Sequence, residues 1–144
     1  MTIKKFDSYS YLLDRTARRV KQYAQQRFSA GDFNVTVDQW LILKNLDNDR
    51  YLKQTELADL TGKDTPTLTR IIDLLCKKGL TERVIHKIDR RSFTVHLTKT
   101  GKELLNELSP KVDDIRMQAW EGLTGADYED LKRILNKIYQ NLEI

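Results

Sequence analysis

The segment from Lys63 to Arg91 holds the side chains of this sequence that are best suited to bind an anionic polymer. It carries eight Lys or Arg residues against four Asp or Glu, and removing these from the totals of 25 and 21 leaves 17 of each elsewhere. The whole formal net charge of +4 therefore comes from about one fifth of the chain. A confined basic patch indicates nucleic-acid binding, although a chance cluster on a solvated surface would give the same count.

Two groups of side chains inside this segment are of the types that contact DNA. The first lies near the start of a predicted helix and comprises Thr65, Pro66, Thr67, Thr69 and Arg70. Its hydroxyl and guanidinium groups could bond base edges in the major groove, and Arg70 could bind a guanine edge or a phosphate. The second group lies in a charged loop and comprises Lys87, Asp89, Arg90 and Arg91. Arginine from such a loop could enter a minor groove, with Asp89 orienting Arg91.

The elements that would hold the first group form a helix-turn-helix. The pattern predicts one helix over about residues 54–60, a turn at 61–63 and a second helix capped by Asp64. Lys53 is a poor capping residue, so a weaker start is expected for the first of these helices. Apolar residues at helical spacing would face inward, namely Leu68, Ile71, Ile72 and Leu75. The second helix of such a unit fits the major groove.

The elements that would hold the second group form a β-hairpin. Residues 92–97 alternate polar and apolar side chains, which is the period of a half-buried strand. Residues 82–86 are the natural partner strand, and the charged loop at 87–91 joins the two. A hairpin that directly follows a recognition helix is expected to act as a wing over the DNA backbone. A solvated charged turn is the alternative.

Further helices are predicted on both sides of this unit. An amphipathic helix covers about residues 8–28, and another begins at Thr36 with the spacing of a capping box. Thr98 caps a long fifth helix, which Pro110 is expected to kink or break. A sixth helix opens at Thr124.

Nothing in the sequence indicates an enzyme, a cofactor or a metal site. The single cysteine, Cys76, cannot form an internal disulfide, and no Cys/His cluster has the spacing of zinc ligands. No Gly-rich phosphate loop or hydrolase motif is found. The apolar runs fall short of the ~20 residues that span a bilayer, and no signal-peptide core is present. We therefore expect a cytoplasmic protein without enzymatic activity and without a membrane partner.

One long stretch of the sequence resembles a known family. Residues 89–101 fit the wing signature Asp-x-Arg-x-x-x-Val-x-Leu-Thr-x-x-Gly of the MarR (multiple antibiotic resistance regulator) family at every fixed position. Shorter matches are Leu57-Ala58, Thr67-x-Thr69-Arg70, Leu75-x-x-x-Gly79-Leu80 and Arg83. The resemblance covers nearly the whole chain. Asp64 and Thr65 depart from the Ser and the basic residue that are more common there, which leaves the base preference open.

This resemblance implies a mainly α fold with a small β-hairpin wing in a single domain over residues 1–144. A winged helix-turn-helix DNA-binding core would occupy about residues 36–98, flanked by dimerisation helices at about 5–30 and 99–144. The implied function is that of a bacterial transcription regulator, a ligand-responsive repressor that binds a pseudo-palindromic double-stranded DNA operator as a homodimer. Arg91 would be the wing arginine and Asp89 its partner.

Apolar side chains near the two ends of the chain are the expected dimer interface. They are Tyr9, Leu12, Leu13, Ile134, Leu135, Ile138, Tyr139 and Leu142. Packing within one chain is the alternative. The resemblance also implies a small aromatic or phenolic effector bound between the dimerisation and DNA-binding regions. Candidate lining residues are Tyr11, Tyr23, Phe28, Trp40 and Trp120, although such aromatics are more often simply core.

Two other functional hypotheses remain open from the sequence. A winged helix can serve protein–protein contact, in which case the basic patch would meet an acidic partner. Alternatively, Cys76 could sense oxidants, although it lies late in the recognition helix, whereas relatives carry the sensing thiol in the first helix.

Overall fold

Helices pack against a small antiparallel sheet in the computed structural model, which describes residues 3–86, 88 and 92–144. A short 3-10 helix at Ile3–Phe6 precedes α1 (Tyr9–Ala30), α2 (Val37–Asn45), β1 (Leu52–Lys53), α3 (Gln54–Thr61), α4 (Thr65–Lys77), β2 (Thr81–Ile85), β3 (Phe93–Leu97), α5 (Lys99–Gln118) and α6 (Gly125–Asn141). The sheet has the strand order β1-β3-β2. The predicted fold class, a mainly α protein with a winged helix-turn-helix, is confirmed.

Side-chain caps set the starts of the helices where the sequence predicts them. The hydroxyl of Thr36 accepts a hydrogen bond from the Gln39 amide at 3.1 Å, and Gln39 bonds back to the amide of Thr36. The hydroxyls of Thr98 and Thr124 likewise accept hydrogen bonds from amides of the first turns of α5 and α6, and at α6 Asp127 also accepts from the Thr124 amide. At α3 the side chain of Lys53 makes no capping bond, and only its main-chain N–H donates to the following Glu56. α3 therefore begins with one capping hydrogen bond fewer than α2.

The hairpin pairs as predicted, with a third strand that the sequence pattern does not reveal. Residues of β2 and β3 pair from Thr81 opposite Leu97 to Ile85 opposite Phe93. β1 pairs with the other edge of β3, with Leu52 opposite Val95. Because β1 contains only two residues, it is too short to show an alternating pattern.

The hydrophobic core lies between the helix-turn-helix, the sheet and the first half of α5. Fully buried side chains come from α2, α3, α4, β3 and α5, and include Leu43, Leu57, Leu68, Ile72, Leu75, Val95 and Leu105. Contacts with this core fix the position of α4 through the buried side of the helix. The inward orientation expected for Leu68, Ile71, Ile72 and Leu75 is confirmed.

Pro110 does not break α5, which continues without interruption from Lys99 to Gln118. Of the two predicted effects, a kink or a break, the break is wrong. Proline removes one N–H that would bond the carbonyl four residues earlier, at Asn106. Both residues are exposed, so water can satisfy that carbonyl, while Leu108 and Val112 anchor the helix to the core on its other side.

The two end helices expose apolar surface. In α1 only Phe28 is buried, and α6 contains no buried residue. Within the described residues, no helix is both long and apolar enough to cross a bilayer.

Candidate nucleic-acid interface

The exposed side of α4 carries the side chains that the sequence predicts to contact DNA. Thr65, Pro66 and Arg70 are exposed, whereas Thr67 and Thr69 are half-buried. The opposite side of the helix lies against the core. One turn separates Pro66 from Arg70, so a ligand that approaches this side of α4 meets both.

Asp64 closes the start of α4. Its Oδ1 accepts a hydrogen bond from the Thr67 amide at 2.8 Å. Hydrogen bonds from Thr67 hold the pKa of the Asp64 carboxyl below its ordinary value, and the charge of Arg70 acts in the same direction. The carboxylate is therefore ionised at neutral pH. It can accept a hydrogen bond from a base amino group and disfavours a phosphate at the helix start.

Thr69 is tied to the first helix of the helix-turn-helix. Its Oγ1 accepts a hydrogen bond from Gln54 Nε2 at 2.6 Å and donates to the main-chain oxygen of Thr65 at 2.9 Å. The sequence pattern does not single out Gln54, because a contact between residues 15 positions apart leaves no local periodic signal.

Several cations of the basic segment are held by other parts of the protomer. Lys63 Nζ donates to Asp38 at 2.9 Å, and its side chain is only 16% exposed. Lys78 Nζ donates at 2.7 Å to a main-chain oxygen in the α1–α2 loop. Among the described residues of this segment, Arg70 and Lys77 are exposed and form neither an ion pair nor a side-chain hydrogen bond with another described residue. The charge count alone therefore overstates how many cations face a ligand.

Asp38 connects α1 to the turn of the helix-turn-helix. Its two carboxylate oxygens accept hydrogen bonds from Lys21 of α1 and from Lys63, each at 2.9 Å. Partial burial raises the pKa of Asp38, but the hydrogen bonds and charges of Lys63 and Lys21 outweigh it and hold this pKa below its ordinary value. The connection was not predicted from the sequence.

Arg83 connects α4 to the hairpin. From β2 it donates to the carboxylate of Asp73 on α4, and its guanidinium lies 5.2 Å from the ring centroid of Phe93 on β3. It also donates to Cys76 Sγ at 3.8 Å. The half-buried Cys76 thiol lies 3.3 Å from the hydroxyl of Thr81. Cys76 therefore belongs to the packing between α4 and β2.

The base of the predicted wing is well defined. The His86 amide donates to the carbonyl of Ser92 at 3.1 Å, so the strands stay paired up to the loop. The predicted wing residues Lys87, Asp89, Arg90 and Arg91 lie outside the described residues.

The predicted dimerisation residues lie on exposed parts of α1 and at the C-terminal end of the chain. Tyr9, Leu12 and Leu13 are 51%, 39% and 39% exposed. Ile134, Leu135, Tyr139 and Leu142 are exposed, and Ile138 is half-buried. A single protomer thus leaves these apolar side chains in contact with water.

The aromatic residues predicted to line an effector pocket are not all brought together. Phe28 and Trp40 are buried and meet edge to face, with ring centroids 6.4 Å apart. Tyr11 is exposed and lies on the same helix as Phe28 but about 26 Å away along its axis. Trp120 packs against Tyr128, and Tyr23 lies under Arg27.

A cleft of about 280 Å³ lies beside Phe28. It is formed by the end of α1, the α1–α2 loop and the end of α4, and is lined by Gln25, Phe28, Ser29, Asp32, Phe33, Asn34, Val35, Thr36 and Lys78. Of the predicted pocket residues, it includes Phe28 alone.

Comparison with known proteins agrees with this architecture. The MarR family model matches residues 35–93, from the loop before α2 to the first residue of β3. The transcriptional repressor MprA of Escherichia coli (strain K12) is 30% identical over 114 residues, which are 79% of this chain and 65% of MprA. The chain therefore spans slightly less than two thirds of the length of this curated relative.

Solved structures match over nearly the full chain. The S. aureus MepR–DNA complex is 26% identical with a TM-score of 0.77, covering 93% of this chain and 98% of MepR. BpsR of Bordetella bronchiseptica, whose DNA binding is regulated by 6-hydroxynicotinic acid, is 25% identical with a TM-score of 0.80, covering 93% of this chain and 94% of BpsR. With the helix-turn-helix, the hairpin and the exposed end helices all in place, the chain is similar to the MarR family in both sequence and fold.

Proposed function

We propose that the protein is a sequence-specific regulator of transcription that binds double-stranded DNA through the exposed side of α4. The observation that carries this proposal is the geometry of α4, whose buried side is fixed by the core while Thr65, Pro66 and Arg70 face outward. Side chains near the start of a recognition helix read base edges in the major groove. Arg70 supplies a guanidinium suited to a guanine edge.

The wing supplies the second contact in this proposal. Lys87, Arg90 and Arg91 follow β2 in the sequence and would extend over the neighbouring phosphates, with Asp89 orienting Arg91. MepR, a 26% identical relative, has been solved in complex with DNA. In this reading residues 36–98 form the DNA-binding core, and residues 5–30 and 99–144 form the dimerisation region.

A homodimer is the proposed active form. None of the 17 residues of α6 is fully buried within one protomer, although Leu131, Ile134 and Leu135 lie on it. Burying such side chains against a second copy removes apolar area from water, which stabilises the dimer by ~25 cal/mol per Å² of buried area. Twofold symmetry then places two recognition helices on half-sites about one DNA turn apart, so the operator would be a pseudo-palindrome.

Repression relieved by a small ligand is the proposed mode of regulation. MprA is a transcriptional repressor, and 6-hydroxynicotinic acid regulates DNA binding by BpsR. An aromatic or phenolic effector that binds one conformation of the dimer better would shift its affinity for DNA. A regulator of this kind acts on the chromosome in the cytoplasm, and its proposed role requires no enzymatic reaction.

Selection from a pool of random duplexes at two salt concentrations tests this proposal, with Arg91→Ala as the comparison. We expect a twofold-symmetric consensus, weaker binding by Arg91→Ala, and a salt slope reduced by about 0.9 per lost phosphate contact. Weak binding that selects no sequence and does not respond to Arg91→Ala would contradict the proposal. It would instead favour a winged helix that contacts a protein.

A further inference from the structure

One hydrogen bond joins the two helices of the helix-turn-helix at the edge of the exposed side of α4. Gln54, the first residue of α3, donates from Nε2 to Thr69 Oγ1 at 2.6 Å, and both side chains are half-buried. The bond links the start of one helix to the first turns of the other. It therefore fixes a side chain within the group proposed to read bases.

The hydroxyl proton of Thr69 is already used inside α4. Oγ1 donates it to the main-chain oxygen of Thr65 at 2.9 Å. A threonine hydroxyl has one proton and two acceptor lone pairs. Since the amide of Gln54 fills one lone pair, the remaining hydrogen-bonding capacity of Thr69 is a single acceptor position.

A side chain that can only accept discriminates between bases. In the major groove adenine and cytosine present amino donors, whereas guanine and thymine present carbonyl acceptors at the corresponding edge. A freely rotating hydroxyl would bond to either kind, because it can turn its proton toward or away from the base. Fixing the proton removes this tolerance.

We propose that Gln54 is a positioning residue for specificity, which holds Thr69 as an acceptor and so favours an adenine or cytosine on the contacted strand. The inference rests on the proposed function and adds a residue outside the predicted recognition group. Gln54 acts here through Thr69, and the preference is confined to one base pair in each half-site.

Selection from random duplexes with four proteins tests the inference: the wild type, Gln54→Met, Thr69→Val and the double variant. Methionine keeps the length of Gln54 without its donor, and valine keeps the branched shape of Thr69 without its hydroxyl. Thr100→Val, at an exposed position in the first turn of α5, is the matched control. Urea unfolding of each variant separates lost stability from lost discrimination.

We expect the wild type to prefer adenine or cytosine at one symmetric position, and each single variant to reduce that preference at least about three-fold, the effect of one net hydrogen bond. The double variant should lose no more than Thr69→Val alone, because Gln54 acts on the base only through the Thr69 hydroxyl. Preferences at the other positions should not change.

A uniform loss of affinity for all sequences with a shallower salt slope would overturn the inference, because it would make Gln54 a phosphate anchor. An unchanged base profile in Gln54→Met, or a profile that changes only as stability falls, would overturn it as well. If the wild type itself selects no sequence, the proposed function fails and the inference falls with it.

Discussion

Asp73 of α4 and Arg83 of β2 form an ion pair that ties the recognition helix to the hairpin. The Arg83 side chain is 28% exposed and also lies over the ring of Phe93, so it contacts both α4 and β3. Packing on an aromatic face restricts the guanidinium more than the ion pair alone would. The angle between α4 and the wing is therefore fixed partly by a polar contact at the surface.

Replacing Arg83 by alanine should lower both stability and DNA affinity. We expect a loss of about 1–2 kcal/mol in the free energy of unfolding, from the ion pair and the aromatic contact together. Arg83→Lys should recover only part of it, because lysine lacks the planar fork. Urea unfolding of each variant measures this loss in the free energy of unfolding. Arg133→Ala is the matched control, since its pair with Asp130 is exposed and 3.8 Å long. Equal effects of the two alanine variants would refute this role.

Acid should remove the stabilisation that Asp38 provides through Lys21 and Lys63. Its pKa in the folded protein lies below its ordinary value, so the unfolded chain takes up the proton first as the pH falls. The contribution is complete above the pKa of the unfolded chain and is lost as the pH falls through the folded value. Asp38→Asn should therefore be less stable than the wild type at pH 7, and the difference should shrink below about pH 4.

Asp14→Asn is the control for Asp38, because the Asp14–Arg18 pair lies within one helix and is exposed. Unfolding free energies measured across pH for both variants and the wild type decide the point. A difference between Asp38→Asn and the wild type that stays constant from pH 7 to pH 3 would contradict the assignment.

Gly101 allows the start of α5 to lie directly against the end of the helix-turn-helix. A Cβ at this position would overlap the main-chain oxygen of Leu80. We expect Gly101→Ala to cost about 1–3 kcal/mol, since the neighbour is main chain and cannot rotate away. Gly125→Ala, where a Cβ meets nothing within 4 Å, should be neutral or slightly stabilising. Thermal unfolding of the two variants compares them, and similar midpoints would argue against the overlap.

The MarR signature at the end of the hairpin thus has a physical reading. Thr98 caps α5 through the Gly101 amide and also donates to the carbonyl of Gly79. The cap is a short-range relationship with strong residue preferences, which is why the sequence predicts it, whereas the bond to Gly79 spans 19 positions and was not predicted. Capping at Thr36, Asp64 and Thr124 was predictable for the same reason.

Contacts between distant residues could not be predicted in this way. The bond between Gln54 and Thr69 and the pairing of Lys63 with Asp38 depend on how helices pack, and no local period reports that packing. The break predicted at Pro110 does not occur, because its cost depends on which side of α5 faces water. Composition likewise could not show that Lys63 and Lys78 are bonded within the protomer.

A charge on α6 should prevent dimerisation without unfolding the protomer. Ile134 is 44% exposed, so Ile134→Glu removes little from the core of one chain. It would place a carboxylate in the proposed interface, where burial of an unpaired charge is strongly unfavourable. Sedimentation of this variant should show a monomer. A binding assay should show weak affinity for the operator. Lys132→Glu, an exposed position on the same helix, should remain dimeric. Two equally dimeric variants would place the interface elsewhere.

One measurement tests most directly whether the exposed side of α4 reads bases. It is the ratio of the affinities for the selected operator and for random DNA, determined at fixed salt for the wild type, Arg70→Ala and Arg133→Ala. We predict that Arg70→Ala lowers this ratio by about ten-fold or more, as expected for one lost contact to a base edge, while Arg133→Ala leaves it unchanged. A ratio unaffected by Arg70→Ala would contradict the account.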